Sequence, residues 1–206
     1  MHVPSAPTKE INVVSFYEAL GESERATSFD NEKWLFVPPY YTEYRYILGT
    51  RGKNPLICVG INPSTAAPDA LDNTLKSVER IALANGYDSF LMFNVYAQRA
   101  TNPDDMESEE NVYLHTQNMA AFEYALGQSE SPAVWAAWGT VVDKRGYLRK
   151  CMYQLTEIAE KYGARWLKAG ALSKAGHPHH PLYLKKDTPL EPFDMKAYIS
   201  SIKADG

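Results

Sequence analysis

Cysteine is scarce in this 206-residue chain, which has only Cys58 and Cys151. Both fall in apolar surroundings, one in an apolar run and one on a helical face. They read as small core residues of a reducing compartment, and a disulfide framework is excluded. Long apolar runs are missing too: none approaches ~18 residues, and the opening residues show no charged stretch followed by an apolar one. The expectation is a protein without a membrane span, located in the cytoplasm. Basic residues are in deficit, with 21 Lys and Arg against 25 Asp and Glu and a net charge of −4. No global positive field advertises nucleic acid, so any such contact must come from a local patch. A Gly-x-Gly-x-x-Gly or Walker-type loop is also lacking, which argues against a dinucleotide or ATP enzyme. Repeats and linkers are absent. What is present is 45% hydrophobic content and 14 tyrosines, enough for one compact domain spanning 1–206.

Residues 1–40 are the least legible and read as an N-terminal extension packed on or flanking a core at 44–184. Within the extension, Val13 to Leu20 suggests a short helix, and Lys33 to Pro39 ends in a Pro-Pro break. Beyond it, Tyr44–Leu48, Leu56–Ile61, Ser89–Tyr96, Ala133–Trp138 and Arg165–Ala169 read as strands. Helical spacing marks Leu71–Asn85, with Gly86 as a stop. A second helix carries Val112, Met119, Phe122 and Leu126 inward and ends at Gly127. A third carries Leu148, Cys151, Leu155, Ile158 and Tyr162. Strands alternating with helices predict a three-layer α/β/α fold around a parallel-rich sheet of about four core strands.

The most informative stretch is Pro55-Leu-Ile-Cys-Val-Gly-Ile-Asn-Pro-Ser-Thr65. An unbroken apolar run reads as a strand buried on both faces, and open α/β sheets bind ligands just beyond the carboxyl ends of their strands. Pro63 fixes its own φ and biases Asn62 toward an extended backbone, so the amide is aimed. Other strand ends contribute Asn94 with Arg99, Trp138 with Gly139, and the cluster His177, His179 and His180. The histidines lack Cys or carboxylate partners at ligand spacing, and neither a metal nor a cofactor is expected.

Four segments, Gly60-Ile-Asn-Pro-Ser64, Leu91-Met-Phe-Asn94, Val134-Trp-Ala-Ala-Trp-Gly139 and His177-Pro-His-His-Pro-Leu182, resemble the ordered motifs of the uracil-DNA glycosylase superfamily. The Gly-Ile-Asn-Pro form is similar to its mismatch-specific branch. The chain resembles still more closely a bacterial and phage family of uncharacterised domains. That family shares Arg-Tyr-x-Leu (Arg45 to Leu48), Asn-Pro-Ser-Thr (Asn62 to Thr65), Asp-x-Thr (Asp72 to Thr74) and Ala-x-Arg-Ala (Ala97 to Ala100). Ala-Trp-Gly (Ala137 to Gly139) and His-Pro-Leu-Tyr (His180 to Tyr183) complete the set.

The resemblance implies a DNA glycosylase-like fold and activity: a monomer that flips a damaged or modified pyrimidine out of DNA and hydrolyses its N-glycosidic bond. Asn62 stands where the fastest members have Asp; an amide cannot be a general base near neutral pH, so it orients water. Asn94 pairs with the base edge, donating and accepting at once. A histidine stabilises the leaving base. Matching Pro178 selects His177, whereas matching Pro181 and Leu182 selects His180, and the shared His-Pro-Leu-Tyr favours the latter. Gly60, Ile61, Pro63, Ser64, Leu182 and Tyr183 line the substrate site, with Leu182 as a wedge and Arg99 on a phosphate. Arg45, Arg51, Lys144, Arg145, Arg149 and Lys150 would form a basic rim. Ser64, where strict uracil enzymes have Tyr, implies tolerance of 5-substituted bases. Two other readings stand beside this one: a binding module of the same fold without catalysis, and a base-modifying enzyme of phage DNA hypermodification.

Overall fold

The computed structural model describes residues 1–202. Seven strands form one sheet: β1 Trp34–Val37, β2 Ile47–Thr50, β3 Pro55–Gly60, β4 Ser89–Asn94, β5 Ala133–Ala136, β6 Arg165–Ala169 and β7 Leu190–Pro192. Their order is β1-β2-β4-β3-β5-β6-β7. The inner four, β4-β3-β5-β6, are parallel, and β1, β2 and β7 join as antiparallel edges. Every residue of β3, β4 and β5 is buried, which is why these strands read as unbroken apolar runs.

Helices cover both faces. α1 (Phe16–Glu24), α3 (Val112–Leu126), α4 (Gly146–Lys161) and α5 (Met195–Ser201) share one core with Val59, Phe93 and Trp138. α2 (Asn73–Ala84) closes the other face with Leu75, Val78, Ile81 and Ala82 against Cys58, Phe90 and Trp135. The chain is therefore a three-layer α/β/α structure on a parallel core of four strands. Side chains of Ser15, Asp72, Asn111 and Asp194 accept hydrogen bonds from the first turns of α1, α2, α3 and α5, satisfying donors that a helix start leaves open. Cys58 and Cys151 are buried free thiols. Among the described residues, no helix is long and apolar enough to cross a membrane.

Several elements differ from the sequence reading. β2 starts at Ile47 rather than Tyr44, because Tyr44 and Tyr46 turn inward onto the segment before α1. The Val14 N–H donates to the Tyr44 hydroxyl at 2.9 Å, and the Tyr46 hydroxyl donates to the Val14 carbonyl at 2.7 Å. Residues 34–37 are an edge strand of the sheet, so the N-terminal part contributes to the sheet itself. β7 and α5 were not anticipated; at three and seven residues they are too short for periodicity to mark. Val112 and Tyr162 face solvent, at 64% and 41% exposure, because one follows the Asn111 cap directly and the other caps the end of α4.

These positions yield a paired stability test. Phe122 is buried and stacks on Phe93 at a centroid distance of 4.9 Å. Phe122→Ala should cost about 3–5 kcal/mol in chemical denaturation, and Val112→Ala should stay within about 0.5 kcal/mol. Comparable losses would contradict the placement of α3.

Candidate active site

Parallel pairing brings the carboxyl ends of β4, β3, β5 and β6 to one rim, and a cleft of about 580 Å³ opens there. Of the sequence-derived candidates, Gly60, Ile61, Asn62, Ser64, Asn94, His180, Leu182 and Tyr183 line it, together with Trp138, Gly139 and His179. This is the size and position of a small-molecule site.

The tip after β3 is stitched to the segment after β4. Val95 and Tyr96 N–H groups donate to the Gly60 and Ile61 carbonyls, both at 2.9 Å, and Ala100 donates to Pro63 at 3.0 Å. The Asn62 Nδ2 donates to the Ala100 carbonyl at 2.6 Å and the Pro63 carbonyl at 3.3 Å. Both bonds use the nitrogen, which leaves the Asn62 Oδ1 as an acceptor in the cleft wall.

Asn94 is only 1% exposed, yet neither its Nδ2 nor its Oδ1 finds a partner within the described protein. Its backbone, by contrast, is firmly held: the Asn118 Nδ2 donates to the Asn94 carbonyl at 2.9 Å from α3. Gly60 lies opposite Asn94 in the parallel register. A Cβ at residue 60 would come 3.0 Å from the Asn94 Oδ1 and 2.6 Å from the Met92 methyl. Glycine there leaves the amide its room.

His180 precedes a single 3-10 turn at Pro181–Tyr183, and its Nδ1 accepts from the Leu182 N–H at 3.4 Å. That bond places the proton of the neutral ring on Nε2. Burial lowers the His180 pKa, with the Asp72 charge opposing, so the ring is neutral at pH 7. Gly139, at φ +62°, packs against it; a Cβ there would sit 3.5 Å from the His180 Cβ.

Three expected site residues lie elsewhere. Pro63 is not among the lining residues. His177 faces inward, bonded through Nδ1 to the Tyr198 hydroxyl and through Nε2 to Asp143, each at 2.8 Å. Arg99 is fully buried, its Nη1 donating to the Ser64 carbonyl and its face lying 4.5 Å from the Tyr41 ring. The basic rim is also engaged with other parts of the protein. Lys144 pairs with Asp104 at 2.6 Å, Arg149 with Asp143 at 3.3 Å and Lys150 with Glu110 at 2.9 Å. Arg145 donates to the Asp104 and Met106 carbonyls, and Arg51 to that of Asn31.

Sequence reasoning assigned Arg45 only to a basic rim and missed Asp72 as a site residue. Arg45 is 1% exposed and lines the cleft; nothing in a tyrosine-rich strand pattern reveals a buried guanidinium. Asp72, among the described residues the only carboxylate in the cleft wall, was noted only within the Asp-x-Thr segment, although a residue that caps α2 must sit at its mouth. Away from the cleft, Glu110, His115 and Cys151 bring potential ligand atoms within 4.8 Å of one another. None of the three lines the cleft, and Glu110 and His115 already bond Lys150 and Gln154.

A family model described as "Protein of unknown function (DUF1643)" matches residues 45–182. No curated protein and no solved structure matches the chain.

The histidines set a pH dependence. Burial holds both His180 and His115 below 6.5, the Gln154 hydrogen bond opposing it at His115. With folded pKa values below the unfolded ones, the unfolded chain takes up protons first. Stability present at neutral pH should therefore fall as pH drops below about 6.5. Urea midpoints measured from neutral to mildly acidic pH should decline less steeply in His180→Gln than in wild type. Identical slopes would show that the buried ring makes no such contribution.

Proposed function

We propose that this chain, which belongs to the DUF1643 family, binds a modified pyrimidine by its hydrogen-bonding edge and cleaves its N-glycosidic bond, as DNA glycosylases do with a flipped base. The observation that carries this reading is the Asn94 amide, buried and without a protein partner at the cleft wall. A buried amide left unmatched costs about 1–3 kcal/mol, so native structures rarely keep one without a use. Asn94 offers a donor and an acceptor side by side, which complements the adjoining carbonyl and N3–H of a pyrimidine.

The remaining groups fit hydrolysis. The Asn62 Oδ1 accepts a hydrogen bond from a water and fixes its direction. Asp72 supplies the negative charge that favours an oxocarbenium-like sugar and can receive the proton of the attacking water. As the bond from the sugar C1′ to the base nitrogen breaks, its electron pair moves onto the base, and the His180 Nε2–H donates to the carbonyl oxygen where charge develops. Water oxygen then bonds C1′. Ser64 replaces bulk with a small hydroxyl, so substituents at the pyrimidine 5-position should be tolerated, each methylene altering affinity by only about 1–3 kcal/mol.

The test is incubation with modified pyrimidines, both within oligonucleotides and as free nucleotides, followed by detection of released base. Asn62→Ala, Asn94→Ala and His180→Ala should each slow release by roughly 10²–10³-fold while leaving the fold intact. Ser64→Tyr should reduce release of 5-substituted bases and spare plain uracil. Wild-type rates in a folded Asn94→Ala variant would remove the amide from recognition. Binding without release of any base would favour the non-catalytic binding module.

A further inference from the structure

Among the described residues, Arg45 and Arg99 are the only Lys, Arg, Asp or Glu side chains that are buried. The Arg45 Nη1 donates to the Ala66 carbonyl at 3.1 Å, and its Nε has no partner within the protein. The Arg99 Nη1 holds the Ser64 carbonyl, while its Nε and Nη2 have none. Burial pulls Arg45 down to about 9, with the Arg99 charge adding to the effect, and pulls Arg99 down to about 10. Both therefore stay protonated at neutral pH, within electrostatic reach of each other. Asp72 and Glu43 act on them only through space: among the described residues neither guanidinium has a carboxylate oxygen within 4.0 Å, Glu43 bonding His2 at 2.9 Å and Asp72 accepting from the Leu75 N–H at 2.9 Å. Two desolvated cations with no anion in direct contact, only partly offset by Asp72, Glu43 and the Tyr41 ring, leave room for a further negative group. Arg45, which lines the cleft together with Ser64, Asp72 and Thr74, is where such a group would arrive.

Part of the basic rim is already committed to carboxylates. Duplex binding relies on exposed Lys and Arg neutralising successive phosphates. Here Lys144, Arg149 and Lys150 are paired with Asp104, Asp143 and Glu110, and the net charge is −4. Exposed Lys174, Lys185 and Lys186 stand in solvent beside the cleft, whereas the buried cation with an unused donor in the cleft wall is Arg45. A terminal phosphomonoester can end at such a point, whereas an internal phosphodiester must leave it in two directions.

We infer that Arg45, backed by Arg99, seats the phosphomonoester of the ligand, so that the substrate is a free pyrimidine nucleotide rather than a base within a DNA strand. This inference rests on reading the cleft as a pyrimidine pocket. Hydrolysis would then release the free base and a sugar 5-phosphate, with water as the only co-reactant.

Calorimetric titration of the full chain with deoxyuridine, dUMP, a trinucleotide carrying internal deoxyuridine, and inorganic phosphate tests it. dUMP should bind at least about tenfold more tightly than deoxyuridine, as a charge-assisted bond to phosphate predicts, and more tightly than the trinucleotide. Arg45→Met should erase the dUMP advantage and leave deoxyuridine binding in place. If Arg45→Met does not fold, Arg45→Lys, which keeps the charge but loses the fork, should retain part of the advantage. Equal affinity for dUMP and deoxyuridine, or tighter binding of the trinucleotide, would overturn the inference and leave the pyrimidine pocket standing. Arg45-dependent phosphate binding without nucleoside binding would support the seat and overturn the pyrimidine reading. No binding by any of the four would overturn both.

Discussion

The site depends on one register. β3 and β4 pair in parallel from Pro55 opposite Ser89 to Gly60 opposite Asn94, and this pairing lies at the centre of the sheet with β5 on its other side. It delivers the Asn62 tip and the Asn94 amide to the same height on the same rim. A shift of one residue would turn Asn94 to the opposite face of the sheet, and a side chain at position 60 would occupy the space its amide needs. Apolar burial on both faces enforces the register, so the hydrophobic core and the polar site have a common cause.

Rigidity around the cleft follows from backbone bonds. The 60–64 tip and the 95–100 segment share a ladder that runs on past the strands, and Asn62 uses its own side chain to close that ladder at Ala100. Asn118 fixes the Asn94 carbonyl from below. Against this framework, two of the buried polar groups without partners lie in the cleft wall itself, the Asn94 amide and the Arg45 Nε. Their cost is borne by a core that includes Trp135, Trp138, Phe90 and Phe93, all completely buried. Sites of this kind commonly concentrate groups that folding alone would have paired.

Much of this was legible because apolar runs end abruptly in polar residues. β6 matches its expected bounds, and β3 and β4, buried on both faces and so marked by unbroken apolar runs, begin within a residue of theirs. Asn62 and Asn94 stood out for the same reason, each ending or following such a run, whereas His180 stood out only through the His-Pro-Leu-Tyr motif. Direction was not legible. His177 and His180 are three residues apart in one loop, yet a bond to Tyr198 turns one inward while the 3-10 turn at Pro181 holds the other in the cleft wall. The fates of Arg45 and Arg99 were equally hidden, because burial of a cation is decided by tertiary packing and opposes every local propensity. Val112 failed for a simpler reason: the first residue after a cap need not share the face that periodicity assigns it.

Tyr198 carries a wider consequence. Its hydroxyl accepts from the Trp138 Nε1 and meets the His177 Nδ1, each at 2.8 Å, linking the end of β5, the histidine loop and α5. α5 lies outside the segment common to the family, as do β1, β7 and α1. The shared segment thus holds the cleft but lacks both sheet edges and the tyrosine that ties its last loop. The matched portion is smaller than the unit that folds in this chain. In this chain the flanking residues finish both sheet edges and supply the hydroxyl beneath the histidine loop, so a fragment cut to residues 45–182 would expose β2 and β6 and leave Trp138 and His177 without their shared partner.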